Sequence, residues 1–348
     1  MFTRERTRAL KVGKVPVGGG APVSVQTMGN ADPHDAAACL AQLKRCAEAG
    51  CDVFRMTVPD AAAAAVFGEV RASSPVPIVA DVHFDYRCAL AALAAGADGL
   101  RINPGNIGSR DRVREVARAA GAKGVPIRIG VNGGSLEKGE TLVSSALKHL
   151  ALLEGEGFRD VVISAKASDV AGTVAAYREL AERTDCPLHL GVTEAGTLIP
   201  GAVRSSVALG ALLGEGVGDT IRVSLTARPE TEVKVGLEIL RSLGMRPRGP
   251  AVTSCPTCGR TRVGLERVAE RVEEALEGLY RARGGSGVFP KVAVMGCAVN
   301  GPGEAQGADV ALCGGDGEFL LFVRGRAVGK VKEDEAVRKV VESVVSLQ

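Results

Sequence analysis

Eight alternations of a short β-rich run with an Ala-rich helical run constrain the fold of this chain more than any other feature. The predicted strands span residues 23–27, 52–57, 77–81, 98–103, 126–130, 160–165, 187–192 and 219–225. The predicted helices that follow them span residues 35–49, 60–72, 85–95, 109–120, 139–156, 169–183, 201–213 and 229–243. Runs such as Val161-Val162-Ile163 are apolar without alternation, which is typical of strands covered on both faces. The pattern predicts an α/β fold with a (β/α)8 TIM barrel, and a doubly wound sheet is the alternative.

The repeat stops after residue 243, where residues 244–250 form a linker that contains Gly and Pro. Beyond the linker, the sequence predicts a smaller α+β unit with helices at 263–283 and 334–345 and strands at 308–313, 318–323 and 327–331. We therefore predict two domains, a substrate-binding barrel over residues 1–245 and an α+β domain over residues 246–348. Residues 11–17 and 21–27 are expected to form a hairpin whose first arm covers the barrel floor.

Bulk composition excludes several classes of function. The net charge is only +3, the charges are interspersed and aromatic residues make up 3%, so neither a nucleic-acid stripe nor a base-stacking platform is expected. No apolar run reaches the roughly 18 residues of a membrane span, so no membrane association is expected. The nine cysteines have no regular spacing and the first residues lack a signal-peptide pattern, which predicts a reducing, cytoplasmic location.

Catalytic residues of a TIM barrel collect at the carboxyl ends of its strands. Five of the eight predicted strands bring a cation to that end, namely Arg55, Arg101, Arg128, Lys166 and Arg222. Because five converging cations repel one another unless an anion lies between them, and because Arg forks suit phosphate oxygens, we expect a diphosphate ligand. Further polar residues predicted to contact the ligand are His83, Asn103, Asn132 and Ser164.

Glu194 is the main carboxylate at these strand ends. It is either a counter-charge to an arginine or a group that donates or accepts a proton.

Three cysteines in the C-terminal domain predict a metal centre. Cys255 and Cys258 form a Cys-x-x-Cys motif, and Cys297 comes from a distant element. A zinc ribbon would need a second Cys-x-x-Cys or a His pair, and the domain contains neither. The fourth ligand is either Cys313, which completes a four-thiolate cage, or Glu304, whose carboxylate a substrate oxygen displaces more easily.

Motifs spread along nearly the whole chain resemble those of 4-hydroxy-3-methylbut-2-enyl diphosphate synthases in their compact two-domain form. The motifs occupy residues 25–28, 54–59, 101–108, 128–132, 164–169, 190–196 and 219–226, together with both cysteine segments. One departure lies at residues 29–34, where the family usually has a more Thr-rich segment.

The resemblance implies the reductive ring opening and dehydration of 2-C-methyl-D-erythritol 2,4-cyclodiphosphate to (E)-4-hydroxy-3-methylbut-2-enyl diphosphate, a step of isoprenoid biosynthesis. It implies flavodoxin or ferredoxin as the electron donor. It also implies a head-to-tail homodimer, in which the barrel of one chain meets the cluster of the other.

The resemblance assigns roles to particular residues. It implies a [4Fe-4S] cluster held by Cys255, Cys258 and Cys297, with Glu304 as the fourth ligand. Asn300 is expected to fix the substrate beside the cluster. With this substrate, Glu194 becomes the candidate to protonate the departing hydroxyl.

Two other functions compete with this interpretation. The first is a TIM-barrel lyase or isomerase that acts on a phosphorylated sugar and carries a structural zinc in the C-terminal domain; it keeps the phosphate site and discards the redox chemistry. The second is a non-enzymatic iron–sulfur sensor or nucleic-acid binder, which the small net charge and the scarce aromatics disfavour.

Overall fold

The computed structural model describes residues 2–246, 249–284, 289–298, 303 and 307–348. The chain divides into two compact units, Met1–Arg246 and Pro247–Gln348. Among the described residues, no helix has both the length and the apolar character that crossing a membrane requires.

Eight parallel strands form the sheet of the first unit. After a short hairpin of β1 (Leu10–Val12) and β2 (Val15–Val17), they are β3 (Ser24–Met28), β4 (Val53–Thr57), β5 (Ile78–Asp81), β6 (Gly99–Ile102), β7 (Ile127–Asn132), β8 (Val161–Lys166), β9 (His189–Leu190) and β10 (Thr220–Ile221). They pair in the order β8-β7-β6-β5-β4-β3-β10-β9. A bridge between Ile163 and Leu188 links the β8 side to the β9 side of this sheet. The predicted TIM barrel is therefore confirmed.

Helices follow the barrel strands and cover their outer faces. They are α1 (Ala36–Glu48), α2 (Ala61–Ala72), α3 (Tyr86–Ala94), α4 (Pro104–Ile107), α5 (Arg110–Lys123), α6 (Leu142–Glu154), α7 (Val170–Arg183), α8 (Leu198–Gly214) and α9 (Pro229–Ser242). The carboxylates of Asp35, Asp60 and Asp169 each accept a hydrogen bond from a backbone N–H of the first turn, which fixes where these helices start. The one-turn helix α4 was not predicted, because four residues are too few to show a helical period.

The hairpin closes the amino end of the barrel, but its pairing differs from the prediction. The predicted first arm, residues 11–17, folds back on itself, with Lys11 paired to Pro16, whereas residues 24–28 form the first barrel strand. Leu10, Val12 and Val17 pack against apolar side chains of the barrel, including Val53 at the start of β4.

His34 joins two loops of the barrel. Its Nδ1 lies 3.0 Å from Asp32 Oδ1 and its Nε2 lies 3.0 Å from Asp60 Oδ2. These two carboxylates raise the pKa of His34, Asp60 having the larger effect. The segment of residues 29–34, which departs from the family pattern, is thereby tied to the start of α2.

In its described residues, the second unit contains a mixed sheet that two long helices cover. Its strands are β11 (Val252–Ser254), β12 (Val292–Met295), β13 (Val310–Gly314), β14 (Glu318–Val323) and β15 (Arg326–Lys332), paired in chain order. The first three are parallel and the last two join antiparallel. Helices α10 (Leu265–Ala282) and α11 (Glu333–Ser346) bury apolar residues such as Leu276 and Val340 against the sheet. The predicted α+β unit is confirmed.

Candidate active site and cysteine centre

Asp81 is the carboxylate around which two of the predicted cations gather. It ends β5, is 1% exposed, and lies 3.5 Å from Arg55 Nε and 3.3 Å from Arg101 Nη1. The Nε2 atom of His83 is 3.9 Å from the same carboxylate. Burial alone would raise the pKa of Asp81, but the Arg55 and Arg101 guanidinium groups outweigh it and hold that pKa below its usual value. The group therefore stays ionised and offsets part of the cationic charge.

A second buried carboxylate, Glu232, lies in the candidate site and was not among the predicted residues. It lies near the start of α9 and forms an ion pair with Arg222, with 3.0 Å between Oε1 and Nη2. In the sequence it resembles any acidic residue at the start of a helix, where the helix dipole favours one, so no signal marked it as buried.

Four of the predicted cations, Arg55, Arg101, Lys166 and Arg222, repel one another in the barrel interior. Burial, opposed by Asp81, lowers the pKa of Arg55 to about 10, with further lowering by Arg222 and Arg101. Burial and the neighbouring cations, Arg222 first, also lower the pKa of Lys166 far below its ordinary value. Within the part of the chain that the structure describes, Lys166 Nζ makes no hydrogen bond or ion pair. Such an unpaired cation fits a site for an anion.

Arg128 lies deeper than its predicted place at a strand end. It is the second residue of β7, which continues to Asn132, and it is 6% exposed. Its Nη1 donates a hydrogen bond to Gln26 Oε1, whereas its Nη2 has no hydrogen-bond partner. Burial and repulsion by Arg55 and Arg101 lower the pKa of Arg128 far below its usual value. Its contact with a ligand stays a prediction.

Two glycines make room for these cations. A Cβ atom at Gly130 would overlap the guanidinium of Arg101. A Cβ atom at Gly191 would lie 2.6 Å from Lys166 Nζ and would also meet the backbone of Arg222. Both glycines lie in the motif segments, and larger residues there would displace the charged side chains.

The other predicted ligand contacts have different surroundings. Asn103 and Ser164 are buried, Asn132 ends β7, and the predicted proton donor Glu194 is exposed. Glu194 has φ 51°, a left-handed conformation that is uncommon for a residue other than Gly. Asn300 lies outside the described residues.

Two cysteines of the second unit lie at the carboxyl ends of neighbouring parallel strands. Cys255 directly follows β11 and Cys297 comes two residues after β12, a strand parallel to β11. The backbone N–H of Gly296 donates a hydrogen bond to Cys255 Sγ at 3.3 Å, which ties the two strand ends together. Cys258 is exposed. Among the described residues, no three Cys, His, Asp or Glu side chains are placed to hold one metal ion. Glu304 lies outside the described residues.

Cys258 and Cys313, two of the candidate ligands, have opposite surroundings. Cys313 is buried on β13 among apolar residues, and burial together with Cys297 raises its pKa to about 11. The backbone N–H of Arg260 lowers the pKa of the exposed Cys258. Since the thiolate is the form that binds metal, the donor chemistry of Cys258 fits a metal or cluster better than that of Cys313.

The fold and the site together define a two-domain protein, with a cation-rich TIM barrel followed by an α+β unit that carries cysteines at the ends of two neighbouring strands. Residues 7–237 match the family model for the GcpE TIM-barrel domain, and residues 251–346 match that for the GcpE protein C-terminal domain. The chain belongs to the GcpE family.

Curated relatives extend over nearly the whole chain. A protein of Maridesulfovibrio salexigens is 53% identical and covers 96% of this chain and 94% of its own. A protein of Geobacter sulfurreducens is 52% identical and covers 98% of both. Both are named 4-hydroxy-3-methylbut-2-en-1-yl diphosphate synthase (flavodoxin), so the predicted family resemblance is confirmed.

A solved structure supports the barrel fold. The Yersinia pestis dihydropteroate synthase matches with a TM-score of 0.51 at 14% identity, covering 68% of this chain and 97% of its own. At this identity the likeness shows the fold alone.

Proposed function

We propose that this chain catalyses the reductive ring opening and dehydration of 2-C-methyl-D-erythritol 2,4-cyclodiphosphate to (E)-4-hydroxy-3-methylbut-2-enyl diphosphate. The observation that carries the proposal is the identity of 53% and 52%, over nearly the whole length, to enzymes named for that product. The activity is that of an iron–sulfur oxidoreductase in isoprenoid biosynthesis. The alternative of a lyase or isomerase with a structural zinc is not favoured, because the relatives' name specifies flavodoxin, an electron carrier.

The cations of the barrel would hold the diphosphate. The positive charge on Arg55, Arg101 and Lys166 exceeds the negative charge of Asp81. The Asp81 carboxylate holds Arg55 and Arg101 before the ligand arrives. Preorganised cations of this kind stabilise charge without reorganising during the reaction. The ring oxygen becomes a phosphate oxygen when its bond to carbon breaks, so the same cations would stabilise the leaving group.

Cys255, Cys258 and Cys297 would hold a [4Fe-4S] cluster, with Glu304 as the fourth ligand. When bound, the cluster would pass the donor's electrons on one at a time, and its iron without a thiolate would supply Lewis-acid character. Cys313 is packed among Ala293, Met295 and Ala311, which favours a core role for that thiol.

Electrons and protons balance around these residues. Two electrons enter, the carbon–oxygen bonds to the ring phosphate and to a hydroxyl break, and a carbon–carbon double bond forms between the two carbons. Glu194 would protonate the hydroxyl, which leaves as water. The electrons would come from flavodoxin or ferredoxin, in the cytoplasm.

A head-to-tail homodimer would complete the site with the barrel of one chain and the cysteine unit of another. Mixing an Arg55→Met variant with a Cys297→Ser variant tests this arrangement. In the dimer, one of the two sites then keeps both an intact barrel and an intact cluster, so activity returns. No recovery after subunit exchange would contradict it.

Turnover of the cyclodiphosphate by the anaerobically reconstituted protein tests the proposed function. Mass spectrometry should detect the diphosphate product with reduced flavodoxin as donor. Glu304→Ala should lose most of this turnover, whereas Cys313→Ala should keep it. A wild-type protein that carries its cluster and forms no product would contradict the proposal.

A further inference from the structure

The Glu232 side chain accepts four hydrogen bonds in a site where the residue is only 3% exposed. Its Oε2 accepts from Thr27 Oγ1 at 2.8 Å and from Arg222 Nε at 3.3 Å. Its Oε1 accepts from Arg222 Nη2 at 3.0 Å and from the backbone N–H of Leu225 at 2.9 Å. The carboxylate thus joins β3, the segment after β10 and helix α9 at one point.

The four donors specify a carboxylate at this position. An ionised carboxyl group has two acceptor oxygens and no hydrogen to donate, so it can satisfy two donors at each oxygen. A glutamine would turn an NH2 group towards one pair of these donors and leave that pair buried without an acceptor. It would also leave the Arg222 charge without its counter-charge.

The same contacts fix the orientation of Arg222. Its Nε and Nη2 form a two-point contact with Glu232, and its Nη1 donates to Ser224 Oγ at 2.7 Å. Contacts on all three nitrogens fix the plane of the guanidinium, while its other N–H groups remain available to an anion. The positive charge of Arg222 acts on both Arg55 and Lys166, which places it among the cations of the barrel.

We infer that Glu232 is a positioning residue for the reaction, which holds the Arg222 guanidinium in the orientation that meets the diphosphate. The inference rests on the proposed function, because it takes Arg222 to contact that ligand. Glu232 itself acts through Arg222, since its oxygens are already occupied by donors from the protein.

The inference predicts a specific split between kinetic constants for Glu232→Gln. Arg222 keeps its charge in this variant, so attraction of the dianionic substrate persists and KM should stay within about threefold. Its orientation is lost, and misplacement of a binding group by about 1 Å can lower turnover about 100-fold. We therefore expect kcat to fall about 10- to 100-fold.

A double-mutant cycle separates this role from a structural one. The anaerobically reconstituted holoenzyme is assayed with a chemical reductant, so that docking of a protein donor does not limit the rate. Glu232→Gln, Arg222→Met and the double variant are compared. If Glu232 acts through Arg222, the double variant should be no slower than Arg222→Met alone.

Glu230→Gln is the matched control. It changes the same charge two residues earlier on α9, where the carboxylate accepts from Arg45 Nε at 2.6 Å, and it should leave kcat unchanged. If Glu232→Gln does not fold, Glu232→Asp, which keeps the charge but shortens the side chain, should show a smaller loss of kcat in the same cycle.

Two results would overturn the inference. One is a kcat for the folded Glu232 variant within twofold of wild type. The other is an equal further loss when the Glu232 change is added to Arg222→Met. A wild-type holoenzyme that does not convert the cyclodiphosphate would instead refute the proposed function, and this inference with it.

Discussion

Replacing Asp81 by Asn should destabilise the barrel strongly, because it removes a buried charge shared by two guanidinium groups. Asp81 is 1% exposed, and the side chains of Arg55 and Arg101 are 12% and 13% exposed. Removing one partner of a buried ion pair costs about 3–5 kcal/mol, since the remaining charge stays buried without compensation. For a domain of this size, each kcal/mol lowers Tm by about 2–4 °C, so a decrease of about 6–20 °C is expected.

The effect of Asp81→Asn should depend on pH and on added anions. The pKa of Asp81 is lower in the folded protein than in the unfolded chain. Ionised Asp81 therefore stabilises the fold above the unfolded pKa of about 3.9, and this stabilisation is lost as pH falls through the folded pKa. The Tm difference from wild type should therefore be constant between about pH 5 and pH 8 and shrink below about pH 4. Pyrophosphate should raise the Tm of the variant more than that of wild type, because the variant has more uncompensated positive charge.

Circular dichroism at several pH values measures this difference. Asp111→Asn is the control, because its side chain is 84% exposed and it pairs with Arg114 at the surface. That substitution should change Tm by no more than about 2 °C. An Asp81→Asn protein that unfolds at the wild-type temperature at pH 7 would show that the ion pairs of Asp81 do not stabilise the barrel.

Three further predictions follow from individual contacts. Gly130→Ala should lower kcat/KM at least about 10-fold, because the added Cβ overlaps the Arg101 guanidinium. Steady-state kinetics measures this loss, and a thermal melt checks that the variant is folded. An unchanged kcat/KM would contradict the prediction. The pKa of His34 is raised in the folded protein. Protonated His34 therefore stabilises the fold below the unfolded pKa of about 6.5, and this stabilisation is lost as pH rises through the folded pKa. The Tm difference between wild type and His34→Gln should thus be larger at about pH 6 than at about pH 9, and equal differences would count against the ion pairs. Glu194→Gln should lower kcat at least about 10-fold in the cyclodiphosphate assay, and normal turnover would remove its role as proton donor.

The repeating architecture could be predicted because each strand and helix has a local signature. Buried strands such as Val161–Lys166 are continuously apolar, and helix starts such as that after Asp60 have a capping carboxylate. The hairpin pairing was wrong because a Gly-rich turn fits equally well between two hairpin arms or between a hairpin and a barrel strand. Strand β11 was missed because it has only three residues, two of them exposed.

The candidate site was predictable only where residue type and strand position together indicated it. Arg55, Arg101 and Lys166 follow the rule that functional groups lie near strand ends. Glu232 is on a helix and becomes part of the site only through tertiary packing. The depth of Arg128 likewise depends on where β7 ends, a boundary that sequence patterns define poorly.

The proposed function depends most on an iron–sulfur cluster held by Cys255, Cys258 and Cys297. Iron and sulfide content, visible absorption and turnover of the cyclodiphosphate should be measured after anaerobic reconstitution of wild type, Cys297→Ser and Cys313→Ser. Wild type and Cys313→Ser should be brown, contain about four iron atoms per chain and form product, whereas Cys297→Ser should lose both cluster and turnover. A colourless zinc protein, or a Cys297→Ser variant with full cluster content and activity, would contradict the proposed cluster.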